Sequence, residues 1–572
     1  MKFIEFINKD SDAPKRQILF MALLSGVANG ALLGIINAGA ENVSNQTVEA
    51  RYFLLYITAL VAYVYTQKYA LTQATIALEV AIRKVRVRIA NKLRHTELLF
   101  IENTGRGEIY TSLTQDSNII SQTALYLISA GQSTIVLIFS LLYMAVLSSL
   151  SFWISVIVIS LTLYWYFATH KKVSDTLQTA TQKESQFFNT FNHILEGFKE
   201  IKINHLKNDD LFHQIEHISN ETEQLKIKVG LQSVNLLMVS RVGIFSLLAV
   251  LVFIMPLLVS TQMEVIFEMT AATLFIIGPI NIIILTLPML ARTNVALTNL
   301  YDLENELDTI IAGNHQGKFS TTPPDEFQKI CFSEVTFQYT DKQAKTLFSL
   351  GPINLTIKPG ELLFILGGNG SGKSTLLKLL VGLYYPFGGC LYLDDDEIDQ
   401  TNYQSYRELF SIIFTDFHLF DRLYGLRDID EGRLKSLLRL MELDKKTKYI
   451  DGQFTHLDLS TGQKKRLAFI SSILENKSIY IFDELVADQD PHFRQYFYEV
   501  LLQDLKKQGK TIVAVTHDDK YFHTADHILK MEYGQLVNYD SVQGTSETND
   551  QMSSTGLGHN MVSINAIKID TI

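Results

Sequence analysis

Apolar and polar positions divide this chain into two halves that follow different rules. From Ser117 to His170 there is no Asp, Glu, Lys or Arg, and the block contains "STIVLIFSLLYMAVLSSLSFWISVIVISLTLYWYF". At about 1.5 Å per residue it is long enough to cross a ~30 Å hydrocarbon layer twice, with "SSLS" as the hairpin between crossings. Ile18 to Ala40, Val242 to Met263 and Met269 to Ala291 are further uncharged runs, and Tyr52 to Ala74 is broken only by Lys68. The pattern predicts six membrane-spanning helices inside an all-α domain over 1–310.

Past the last run the pattern changes. "TNVALTNLYDLENELDTIIAG" reads as a polar helix, and the Gly, Thr and Pro residues that follow predict a linker over 311–327. Beyond it, short β-rich runs such as "ELLFILG" and "TIVAVTH" alternate with helical stretches such as "KSTLLKLLVGLYY". That alternation predicts a mostly parallel sheet with helices on its faces over 328–540. The last stretch, 541–572, is rich in Ser, Thr, Gly and Asn and predicts a disordered tail.

Charge placement orients the spans. Lys15 and Arg16 precede the first, Arg83, Lys84, Arg86, Arg88, Lys92 and Arg94 follow the second, and Lys171 and Lys172 follow the fourth. Because cytoplasmic flanks carry the excess of Lys and Arg, the N-terminus, the long loops at 79–120 and 171–230 and everything after 292 are expected in the cytoplasm. The two long loops mix apolar and polar residues at helical spacing, which predicts paired helices reaching down from the membrane to the soluble domain. The start, "MKFIEFINKDSDAPKR", is polar and lacks a small-residue cleavage site, so the first run is expected to stay as a helix among membrane lipids.

The whole chain has 572 residues, 47% of them hydrophobic, and a formal net charge of −10. That charge argues against nucleic acid as a partner. Only two cysteines occur, Cys331 and Cys390, both in the cytoplasmic half, so no disulfide framework is implied.

"GGNGSGKS", Gly367 to Ser374, fits the phosphate-binding loop pattern and lies between the strand "ELLFIL" and the helix "TLLKLL". Gly367, Asn369, Gly370, Ser371, Gly372 and Thr375 belong to the loop and first helical turn, where backbone N–H groups converge on phosphate oxygens. Lys373 neutralises phosphate charge, and the Ser374 hydroxyl is a Mg²⁺ ligand. The stretch "SIYIFDELVADQDP" reads as a buried strand ending in carboxylates. Asp483 is placed to hold Mg²⁺ and Glu484 to act as general base on the attacking water. Such a "hhhhDE" run is common by itself.

Two further segments change that. "LSTGQKKRLAF" precedes the strand, and His517 ends "TIVAVTH". With them the sequence resembles the ATP-binding cassette (ABC) family, and the layout of the whole chain resembles an exporter half-transporter. The resemblance implies that Ser460, Gly462 and Gln463 form the signature that contacts ATP held by a second copy, in a homodimer with two composite sites. It also implies that Asp490 communicates across that dimer, that His517 is the switch histidine, and that Tyr339 in "VTFQYT" stacks on adenine. Asp488 receives no role from the family, and helix capping or solvation is its default.

Three features depart from the common pattern: Thr461 where glycine is usual in the signature, "SIIFTDFHLFD" where the Q-loop glutamine is expected, and "ADQD" in place of "SALD". Asp416 or the Thr415 hydroxyl is expected to stand in near Mg²⁺, since both offer oxygen. Together the three stretches resemble bacterial exporters of cyclic peptides and peptide siderophores, of the pyoverdine and syringomycin type. The resemblance implies a peptide or siderophore precursor as cargo; a lipid or drug exporter is the alternative within the class, and a non-transporting ATP-regulated membrane protein the alternative outside it. In the spans, Arg241 has apolar sequence on both sides and is a candidate contact for an anionic group on the cargo. Its place near the cytoplasmic end equally permits snorkelling.

Overall fold

The computed structural model describes residues 2–11, 14–44, 50–255, 263–313, 327–340, 345–399 and 401–538. The expected tail, nearly all of the expected linker and the end of the fifth apolar run lie outside the described residues. The chain separates into two compact units. One comprises Met1–Arg94 with Thr104–Leu307, the other His95–Asn103 with Asp308–Ile572.

The first unit is helical. The described parts of the six apolar runs are helical: they fall in Lys15–Ser44, Ala50–Leu93, Ser117–Leu147, Ser149–Glu196, His205–Ala249 with its π-helical continuation Val250–Ile254, and Met263–Gly313. Among the described residues four helical segments are long and apolar enough to cross a membrane, Lys15–Ala40, Ile109–Leu147, His205–Ile254 and Val265–Ile311, and Ser149–Trp165 is a shorter apolar stretch. Ala50–Leu93 is not among them; Lys68 and the Thr and Gln residues around it dilute its apolar run. Its 44 residues extend roughly 66 Å, about twice the hydrocarbon thickness, so more than half of it is free to carry charge.

Packing in this unit relies on small residues and buried ions. A Cβ on Gly26 would lie 2.7 Å from Ile135, and one on Gly30 would lie 2.6 Å from Phe139, so this pair, one turn apart, lets two helices approach closely. Arg88 donates to Glu304 at 2.6 Å and to Asp10 at 2.6 Å, while Lys92 donates to Glu304 at 2.7 Å. Both carboxylates are buried, and burial of an ion is tolerable only with such partners. Large apolar side chains such as Phe53, Val146, Leu161 and Phe253 remain exposed on this unit, as a lipid-facing surface requires.

The second unit is α/β. Its central sheet has the order β12-β11-β3-β10-β9-β6. β3 (Leu362–Gly367), β6 (Phe410–Ile413), β9 (Ile479–Asp483), β10 (Thr511–Val515) and β11 (His527–Glu532) run parallel, and β12 (Gln535–Asn538) pairs antiparallel at the edge. Alternation along these strands feeds two cores. Leu363, Ile365, Ile481 and Val513 point into one, and Leu362, Phe364, Phe482 and Ile512 into the other, so both faces are covered. An antiparallel sheet of β1 (Ile330–Thr340), β2 (Thr346–Ile357), β4 (Gly388–Leu393) and β5 (Asp396–Glu397) and a small hairpin of β7 (Tyr449–Ile450) and β8 (Gln453–Phe454) complete the unit.

Candidate functional site

β3, β10 and β9 are adjacent and parallel, so the loops leaving their C-terminal ends meet at one edge of the sheet, the usual ligand edge of such folds. The phosphate loop leaves β3, Asp483 and Glu484 end β9, and His517 follows β10. Gly367, Gly370 and Gly372 have φ of +150°, +77° and +104°, conformations that favour glycine. A Cβ on Gly367 would stand 2.6 Å from both the Met531 carbonyl oxygen and the Ser371 hydroxyl. The helix Lys373–Leu380 starts at the end of this loop, with Asn369 exposed at the tip and Thr375 buried in the first turn.

Lys373 is buried, and its Nζ donates to the Gly367 and Gly368 carbonyls at 2.7 and 3.1 Å, inside the curl of the loop. Beside it, the buried Ser371 Oγ has no hydrogen-bond partner. A buried hydroxyl left unpaired inside a glycine cradle, next to an ammonium, fits a polyphosphate that would supply the missing oxygen.

Ser374 Oγ donates to Asp483 Oδ2 at 3.2 Å, bringing together the two expected Mg²⁺ ligands. Burial pushes the Asp483 carboxyl up, hydrogen bonds from Thr415 and Ser374 draw it back, and the neighbouring Glu484 charge pushes it up again, leaving it above its ordinary value. Thr415 Oγ1 donates to the Asp483 carbonyl at 3.3 Å. Asp416 is exposed, and among the described residues no hydrogen bond or ion pair connects it to Asp483 or Ser374.

Glu484 has φ +50°, a strained conformation for a non-glycine residue that holds its carboxylate off the end of the strand. Its Oε1 lies 3.2 Å from His517 Nε2 and 3.8 Å from Lys373 Nζ. A carboxylate held beside both the Lys373 ammonium and an imidazole has the surroundings expected of a general base.

Tyr339 lies in β1, with its ring edge-on to Phe337 at 5.1 Å. Its hydroxyl donates to Tyr384 Oη at 3.1 Å and lies 3.4 Å from Thr375 Oγ1. Tyr384 in turn donates to the Glu102 carboxylate, to which Lys378 also donates at 2.8 Å. Glu102 belongs to the short segment His95–Asn103, which is part of this unit although it lies far upstream in sequence. Nothing in the sequence singled out Glu102 or Tyr384, because their partners lie more than 270 residues apart.

The signature opens the helix Thr461–Glu475. Ser460 Oγ accepts from the Gln463 N–H at 3.3 Å, and Gln463 Oε1 accepts from the Ser460 N–H at 3.1 Å, a reciprocal cap that leaves Gly462 between them at the helix N-terminus. Asp490 caps the next helix, Pro491–Tyr496, by accepting from the Phe493 N–H at 2.9 Å, and pairs with Arg466 at 3.0 Å. That backbone hydrogen bond holds the Asp490 carboxyl below its ordinary value, with Arg466 adding to the effect. Asp488 is neither a cap nor merely solvated: it pairs with the buried Lys465 at 2.8 Å. In the membrane unit, Arg241 is exposed on the helix His205–Ala249.

This fold and this set of loops define an ATP-hydrolysing cassette joined to a helical membrane domain, and comparison with known proteins agrees. The ABC transporter domain model matches residues 350–487 and the ABC transporter transmembrane region model matches residues 17–284. The chain belongs to the ABC transporter family, with the half-transporter order of one membrane domain followed by one cassette. It is 32% identical over 546 residues to the ATP-binding protein SyrD of Pseudomonas syringae pv. syringae, spanning 91% of this chain and 93% of that protein. The energy-coupling factor transporter ATP-binding protein EcfA1 of Mycoplasmoides gallisepticum is 34% identical over 218 residues, 36% of this chain and 76% of that one. The solved structure of a bacterial Atm1-family ABC exporter with ATP bound shares the fold, with a TM-score of 0.73 at 16% identity over 94% of this chain and 99% of that one. The protein is thus an ATP-driven ABC exporter, and its cassette is an ATPase.

Proposed function

We propose that this exporter moves a cyclic or otherwise modified peptide, or a siderophore precursor, out of the cytoplasm, working as a homodimer. The observation that carries the cargo reading is the 32% identity to SyrD across almost the whole chain, which includes the membrane domain where cargo must bind. One cassette supplies a phosphate loop at one edge and a signature at another, so two copies related by a two-fold axis would complete two ATP sites.

In each site the phosphate loop and Lys373 would hold the polyphosphate, Tyr339 would stack on adenine, and Glu484 would take the proton of the attacking water with His517 beside it. Ser374 and Asp483 fit as ligands of Mg²⁺, which when bound would neutralise phosphate charge. For the missing Q-loop glutamine the geometry favours Thr415, whose hydroxyl touches the Asp483 backbone, over Asp416.

A lipid or drug cargo has one observation in its favour. A cavity in the membrane unit is lined by aliphatic side chains, among them Leu137, Val158, Leu247, Ile276 and Ile284, with Thr162 and Thr273 the polar exceptions. The test is ATPase activity of the protein in nanodiscs, wild type beside Glu484→Gln, with cyclic peptides, siderophore precursors and amphiphilic drugs added in turn. Loss of a general base lowers turnover about 10²- to 10⁴-fold. Stimulation of the wild type by a peptide supports the proposal; stimulation by drugs or lipids alone moves the cargo to that class. Wild-type turnover no higher than that of Glu484→Gln under every condition sinks the proposal.

A further inference from the structure

Lys465 lies on the signature helix five residues past Ser460, is almost wholly buried, and makes two polar contacts. Its Nζ donates to the carbonyl oxygen of Glu484 at 2.9 Å and pairs with Asp488 Oδ2 at 2.8 Å. The ammonium is withdrawn from water while the Asp488 side chain is about half exposed, so a buried charge depends on these two oxygens for its partners. The next residues repeat the connection. Gln489 Nε2 donates to the Gly462 carbonyl at 2.8 Å, and its Oε1 accepts from Arg466 Nε at 2.9 Å. Signature turn and catalytic loop are therefore bolted together by side chains from both.

We propose that the Lys465–Asp488 pair is a positioning latch that links the two ATP sites of the dimer. It rests on the composite-site reading above. The signature of one chain touches ATP held by the second copy, whereas Glu484 of the first chain serves the ATP in its own phosphate loop. A displacement of Ser460–Gln463 when the second copy's phosphate engages passes along one rigid helical turn to Lys465. From there it reaches Asp488 and the carbonyl of Glu484, which belongs to the reactive carboxylate's own backbone. Each site thus sets the other's general base, and hydrolysis is positively cooperative in ATP.

The experiment uses full-length protein in nanodiscs and measures initial ATPase rates across ATP concentrations, fitting kcat, half-saturation and Hill coefficient separately. Asp488→Asn removes the ion pair but leaves Lys465 its bond to Glu484. It is expected to lower kcat about 5- to 20-fold and bring the Hill coefficient from above 1.5 to about 1, with half-saturation shifted less than about twofold. Asp488→Glu is expected to restore both, which a loss of general packing does not predict. Should Asp488→Asn not purify folded, Lys465→Gln answers the same question, since it keeps a donor for the Glu484 carbonyl and drops the charge.

Wild-type kcat and cooperativity in the neutral variant overturn the latch, as does a wild-type Hill coefficient of 1. Ser460→Arg is the control for the underlying reading. If it leaves turnover intact, the composite site itself is wrong. If it abolishes turnover while Asp488→Asn changes neither kcat nor cooperativity, the latch alone fails.

Discussion

The phosphate-loop corner and the signature corner of the cassette do comparable work with opposite materials. The first is made of backbone: three glycines with positive φ, carbonyls gripping Lys373, and one unpaired hydroxyl on Ser371. The second is made of side chains: a reciprocal Ser460–Gln463 cap, then Lys465, Arg466, Asp488, Gln489 and Asp490 joined by hydrogen bonds and ion pairs. At Gly367 the backbone cradle has no room for an added atom, because the Met531 carbonyl it would meet is itself backbone. A side-chain mesh is graded; each link can be weakened singly, which suits the coordinating role proposed for it above more than grip.

The sharpest way to break this contrast is Gly367→Ala. Its new Cβ would collide with the Met531 carbonyl, and the expected loss of ATP affinity is about 10²-fold, from roughly 1 to 3 kcal/mol of strain and the displaced loop. Titration with a fluorescent ATP analogue checks it, with Gly368→Ala as the comparison, since a Cβ there meets nothing within 4 Å. Equal affinity in the two variants removes the argument for a backbone-built site.

On the other corner, Gln489→Ala deletes two hydrogen bonds worth about 1 kcal/mol each, and a drop in kcat of about tenfold with ATP binding retained is expected from steady-state kinetics. Loss of binding with unchanged kcat would reverse the assignment of grip and coordination.

Asp483 sharpens the comparison through pH. Burial raises its carboxyl, so the folded protein holds that proton more tightly than the unfolded chain does. The stability this gives is complete below the unfolded value and is lost as pH rises through the raised folded value. Asp483→Asn removes the buried charge, and without nucleotide its unfolding midpoint at pH 7.5 is expected about 2 to 4 °C above the wild type's, with the gap closing near pH 4. Thermal scans at the two pH values decide it.

Smaller effects are expected at the adenine end, where Tyr384→Phe cuts the link from Tyr339 to Glu102. KM for ATP should rise about threefold at constant kcat, the equivalent of one modest hydrogen bond. Smallest of all, Asp416→Ala is expected to change the Mg²⁺ dependence of turnover by less than about twofold, while Thr415→Val changes it more; the opposite ranking would return Asp416 to the metal.

What the sequence disclosed follows the range of the interactions involved. The phosphate loop, the carboxylates after "SIYIF" and the strand before His517 are built from neighbours in the chain, and the short continuous apolar runs of β3 and β9 made those strands legible. The role of Asp488 was hidden because its partner, Lys465, is identified only by the helical phase that buries it. Glu102 was hidden by distance, and its stretch, "LLFIENT", reads as an ordinary amphipathic turn. Ala50–Leu93 shows the converse: its apolar run was readable, but polar residues within it weaken the case for a crossing on composition alone.

The His95–Asn103 segment has a consequence for how the protein is made. It leaves the ribosome about 230 residues before β1, which at ~5 to 20 residues per second means roughly 10 to 45 seconds in which Glu102 has no cassette to join. The second unit therefore includes a segment that the last half of the chain does not encode. Synthesised alone, it would lack the carboxylate that Lys378 and Tyr384 bond to. Biosynthesis thus leaves an early segment waiting for a late one, and the bonds to Glu102 join two distant parts of the message.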